Sequence, residues 1–109
     1  MKELVEYFKK KGLIFRELKA LDPGRLGIKK RWKIYEGVDT KNRYVLIVEI
    51  ERKSRFLRKD AQSLLEVQEL LEKSLGHGFK KRYLLLKAPL CSKAKELLQS
   101  AGWSVDAAV

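Results

Sequence analysis

Three residues in the stretch YVLIVEIERKSR, residues 44 to 55, have types and spacing that could do chemistry: Glu49, Glu51 and Lys53. Side chains along an extended chain alternate between faces, so these three share a face with Val45 and Ile47, while Tyr44, Leu46, Val48, Ile50 and Arg52 take the other. Two carboxylates and an ammonium at the end of an apolar strand cost desolvation. A fold keeps such a group when its members pair, meet water or hold a ligand. The chain has one cysteine, Cys91, and one histidine, His77, so a bound metal must be held by oxygen ligands. The single cysteine also excludes an intrachain disulfide.

The elements that must position this face follow from periodicity. A helix is expected over residues 2 to 11, with Met1, Leu4, Val5 and Phe8 as its apolar stripe and Gly12 as its stop. Strands are expected over 12 to 20 and through IKKRWKIYEGV, with the break LDPGRLG between them. Asp39, Thr40, Lys41 and Asn42 supply turn chemistry for an antiparallel hairpin leading into the central strand. A helix over 60 to 75 follows, with Asp60 as N-cap and Gly76 at its end, then an apolar strand over 82 to 88. A helix over 93 to 101 with Ser92 as N-cap and a short strand from Trp103 close the chain. The order α-β-β-β-α-β-α-β over 109 residues predicts one α/β domain, a mixed sheet with helices on both faces.

The charge balance restricts the partners. Twenty-five Lys and Arg against 14 Asp and Glu leave +11 on a small domain, which attracts polyanions, nucleic acid foremost. The N-terminus is charged throughout and no apolar run approaches the ~18 residues of a membrane span, so a cytoplasmic protein with no membrane partner is expected. Abundant Lys, Arg and Glu with few Asn, Gln, Cys and Met fits a thermophile.

Several residues admit two readings. Lys29, Lys30, Arg31 and Lys33 with Trp32 interleaved suit tracking a phosphate backbone with a base stacked on the indole. The same pattern equally serves a core tryptophan and a charged sheet edge. Arg52, Arg55, Arg58 and Lys59 form a second basic group, and Lys80, Lys81 and Arg82 a third; placed near strand ends, they suggest one phosphate-binding face. His77, between two glycines, reads as a turn residue, and Cys91 and Trp103 as core. A hairpin turning on Lys41 and Asn42 makes opposing numbers sum to 83, so Glu51 faces Trp32, Glu49 faces Ile34 and Lys53 faces Lys30. Asp39 then lies opposite Tyr44, roughly 23 Å from Glu51 at ~3.3 Å per residue.

The hairpin, the strand ending in Glu-x-Lys, and the helix and parallel strand after it resemble the core of the PD-(D/E)xK nuclease superfamily. IERKSR, residues 50 to 55, is similar to the strand ends of archaeal Holliday-junction resolvases, and ERKS to the motif of XPF-type nucleases. The stretch from RYVLIVEIERKSR through DAQSLL to RYLLLKAPLCSKAKELLQSAGWSV resembles the C-terminal nuclease domain of the NucS/EndoMS mismatch endonucleases. The resemblance covers about two thirds of the chain. It implies a restriction-endonuclease-like fold and, in an active member, carboxylates holding Mg²⁺ with a lysine at the phosphate. Glu51 would then be the motif acid and Lys53 the motif lysine, or Glu49 the acid with Glu51 in the lysine's place. Gln62 would match the helix glutamine, and Glu6 or Glu3 would join Glu49 and Glu51 at the metal. The motif aspartate has no counterpart in the expected register. The implied function is nucleic-acid binding, DNA favoured over RNA, with Mg²⁺-dependent endonuclease action in repair or recombination where the site is complete. The alternative is an inactive interaction subunit that meets an acidic protein or a second copy of this chain.

Overall fold

The computed structural model describes residues 2–25, 27 and 32–106. Helix α1 (Lys2–Lys10) leads into strands β1 (Phe15–Leu21), β2 (Lys33–Asp39) and β3 (Tyr44–Glu51). Helix α2 (Arg58–Leu75), strand β4 (Lys81–Lys87), helix α3 (Ser92–Ser100) and strand β5 (Trp103–Asp106) follow, in the expected order. The five strands stand side by side in sequence order. β1, β2 and β3 are antiparallel neighbours, and β3, β4 and β5 are parallel, as the helical crossovers require.

Alternation along β3 divides the core in two. Leu46, Val48 and Ile50 face α2 and α3, where they pack with Ile34, Leu84 and Leu86, with Ala61, Leu64, Val67 and Leu71 of α2, and with Ala94 and Leu98 of α3. Val45 and Ile47 face the other way, under Leu4 and Phe8 of α1. Each fully buried Leu, Ile or Phe here contributes about 1.5–3 kcal/mol of transfer free energy. The central strand is therefore apolar on both faces because helices cover both.

Three local expectations are corrected. The hairpin loop holds three residues, Thr40, Lys41 and Asn42, with Asn42 left-handed at φ 63°. A three-residue loop with a left-handed last position is a favoured hairpin closure. Opposing numbers then sum one lower than a two-residue loop predicts, so Lys33, and not Ile34, stands opposite Glu49. Helix α2 begins two residues early: Leu57 is its N-cap, and the Asp60 carboxylate reaches back to accept the Leu57 N–H at 2.8 Å. Helix α3 is likewise capped by Cys91 rather than Ser92.

Candidate nucleic-acid interface

The apolar run of β3 ends where α1 no longer covers it. Val45 and Ile47 are fully buried, Glu49 is half-buried and Glu51 is exposed. Both carboxylates stand on the α1 side of the sheet, two residues apart. Lys53 is exposed and follows in a bend after the strand has ended, so strand alternation does not set its direction.

The neighbouring strands place a lysine beside each acid. Lys33 of β2 pairs in register with Glu49, and Lys87 of β4 with Glu51. Such partners share a face with Cα atoms about 5 Å apart, and both lysines are exposed. Among the described residues, neither lysine closes an ion pair within 4.0 Å with these acids.

Other acids lie elsewhere. Asp39, 2 % exposed, closes the far end of the hairpin: it accepts the backbone N–H groups of Lys41 and Arg43 at 2.9 Å and the Arg43 Nε–H at 2.8 Å. The backbone N–H of Arg43 is the main reason its carboxyl sits below the ordinary value, with burial opposing. Asp22 accepts the Gly24 N–H at 3.0 Å, a local turn bond. Glu6 is exposed and lies about 200° around α1 from Leu4 and Phe8, which face the sheet. Among the described residues no three His, Cys, Asp or Glu side chains converge to hold a metal, so Glu6, Glu49 and Glu51 do not come together. Magnesium is held by one or two carboxylates backed by phosphate oxygens, and here a lysine stands in register with each of the two acids. The described residues thus offer two carboxylates on one face and no third, each with a lysine in register beside it.

Basic groups gather at the same end of the sheet. Beyond β3 and β4 the backbone stays paired: Arg52 N–H donates to Lys87 at 3.2 Å, Phe56 N–H to Pro89 at 2.8 Å and Cys91 N–H to Phe56 at 3.0 Å. This brings the N-termini of α2 and α3 side by side. Arg52 holds the connection rather than standing free, since its guanidinium bonds Asp60, the Arg55 carbonyl at 2.9 Å and the face of Phe56. Arg55, Arg58 and Lys59 are exposed, and Arg58 shares a shallow groove with Lys93, Glu96, Leu97 and Ser100. The Cys91 thiol is drawn below its ordinary value by the N–H groups of Ala94 and Lys93, with burial opposing and the charges of Arg55 and Lys93 assisting. The positive ends of both helix dipoles add to this cluster.

Trp32 is 8 % exposed and belongs to the core on the α2 side, so its indole packs rather than stacking on a base. Lys33 is exposed; Lys29, Lys30, Arg31 and the side chain of Glu3 lie outside the described residues. Gln62 is exposed on α2, whereas Gln68 accepts the Trp103 Nε1–H at 2.9 Å.

One polar cluster escaped the sequence reading. Glu36, 7 % exposed on the α2 side of β2, meets Nε2 of His77 at 2.8 Å and Nζ of Lys19 at 3.1 Å, and the His77 ring stacks on Tyr44 at 3.6 Å. The available signal was alternation along the strand, which puts Glu36 on the same face as the core residue Ile34. This cluster sits at the hairpin end, away from Glu49 and Glu51.

No family model and no curated protein matches this sequence. Solved structures do match its fold. Apo EndoMS aligns with 96 % of the chain at a TM-score of 0.60 and 19 % identity. A repair endonuclease from Pyrococcus abyssi aligns at 0.54 and 19 %, and a complex of EndoMS with dsDNA at 0.52 and 20 %. The chain spans 43 % of the length of the first two and 41 % of the third. It shares a nuclease-like fold with the matching part of these chains.

Proposed function

We propose that the chain is a nucleic-acid-binding module of nuclease-like fold, DNA favoured over RNA. The observation that carries this reading is the exposed cluster Arg55, Arg58, Lys59 and Lys93, bracketing the ends of β3 and β4 in a chain of net charge +11. Phosphate contacts supply affinity without reading sequence, and helix N-termini assist them. One of the fold neighbours is a complex of EndoMS with dsDNA, which supports duplex DNA as the ligand.

The test is the salt dependence of binding. With labelled duplex, log affinity against log salt should fall with a slope of roughly −0.9 per phosphate contact. Arg55→Glu with Arg58→Glu should weaken binding on every sequence alike and flatten the slope by about 2. Absence of binding at low salt would remove this reading.

Metal-dependent cleavage is the second reading, favoured by Glu49 and Glu51 on one face and by the endonuclease fold. Cutting of labelled DNA with Mg²⁺ or Mn²⁺, lost in Glu51→Ala and in Lys53→Ala, would establish it. Retarded but uncut substrate leaves the binding module.

A further inference from the structure

We infer that lysine side chains take the place of a divalent cation at the Glu49–Glu51 face, so that this face receives phosphodiester backbone without metal. The inference rests on the nucleic-acid reading of this end of the sheet and adds how its Glu49–Glu51 face is electrically balanced. Its basis is the register: the three-residue hairpin loop sets Lys33 beside Glu49, and the parallel pairing of β3 and β4 sets Lys87 beside Glu51. The two lysines match the two carboxylates in charge, one in register with each. Lys53 is exposed two residues beyond Glu51 and adds a positive charge to this end of the sheet.

A cation seated between the carboxylates would stand beside two lysine ammonium groups whose like charge opposes it, and would find no third acid among the described residues. A phosphate meets no such opposition from the lysines. Lys33 and Lys87 are long and exposed, and neither is locked in an ion pair with these acids, so both can turn from carboxylate to phosphate. The carboxylates then act on the ligand only as a residual repulsion that the lysines screen. This fixes the sign of a substitution: removing the carboxylate charge tightens binding here, whereas in a metal seat it would abolish the metal's contribution.

The experiment measures fluorescence anisotropy of labelled duplex DNA with the full chain at low salt. It is run in EDTA and in millimolar Mg²⁺ at matched ionic strength, beside Glu49→Gln/Glu51→Gln and Lys33→Glu proteins whose folding is checked by thermal melting. Equal affinity in EDTA and Mg²⁺, roughly twofold to fivefold tighter binding by the Gln pair, and weaker binding by Lys33→Glu are expected. Tightening by Mg²⁺ that disappears in the Gln pair, or a Gln pair that binds no tighter in EDTA, would overturn the inference while leaving the nucleic-acid reading intact. No binding under any condition would remove that reading instead. A calorimetric titration of Mn²⁺ into the free protein then decides the charge balance by itself: a stoichiometric site lost in the Gln pair overturns it, and no site supports it.

Discussion

Asp39 illustrates how one carboxylate can be conspicuous in sequence and silent in chemistry. It is the acid beside the hairpin turn, yet its lone pairs are taken by Lys41 and Arg43. Its carboxyl titrates below the ordinary value of 3.8, chiefly through the Arg43 backbone N–H. The stabilisation it brings is therefore present above that ordinary value and is lost as pH falls through the lower folded value. Thermal melting from pH 7 to pH 2 should show the Asp39→Asn protein less stable than the parent at pH 7, with the gap closing in acid. A gap independent of pH would mean that ionisation of the Asp39 carboxyl contributes nothing to stability. The turn role of Asp39 was legible in the run of turn residues, and so was its distance from Glu51. The burial of Glu36 was not, because its partner His77 is 41 positions away and carries no local signal of the contact.

At the level of elements, β1 meets β2 through a close approach that only glycine allows. A Cβ on Gly37 would lie 2.8 Å from a ring carbon of Phe15, whose ring packs edge-on to Phe8 of α1 at 5.5 Å. Gly37→Ala must push that ring off α1, and a loss of about 1–3 kcal/mol is expected in urea unfolding. Phe15→Ala made together with Gly37→Ala should cost less than the sum of the two single changes, since the clash vanishes with the ring. Strict additivity would place the strain elsewhere. The existence, type and order of all eight elements could be read from periodicity and punctuation. Boundaries could not, for reasons visible in particular residues. Leu57 caps α2 because Asp60 supplies the bond from inside the helix, and the hairpin register depends on whether Asn42 takes a left-handed conformation. That one residue decides whether Glu49 faces an isoleucine or a lysine, and with it the electrostatics of the site.

For the whole molecule, the proposed binding of nucleic acid and the molecule's dimensions together set the length of duplex that one copy would cover. The longest extent is 34 Å, about one turn of duplex, or ~10 base pairs. Affinity per site should rise with duplex length up to roughly one turn and then level off apart from a statistical factor, while a duplex of half that length should bind with a shallower salt slope. Continued growth of the slope with length would mean that more than one copy binds cooperatively.

The arrangement of strands also bears on how the molecule comes to exist. Because β1 to β5 stand in the sheet in the order in which a ribosome delivers them, each arriving strand docks on the one just completed. None has to wedge between two that are already paired. Helix α1 is the exception: Leu4 and Phe8 pack on Val45 and Ile47, so α1 has no seat until β3 has emerged. The apolar stripe of α1 therefore stays unsatisfied while β1, β2 and β3 are made, the interval in which a chaperone has most to bind.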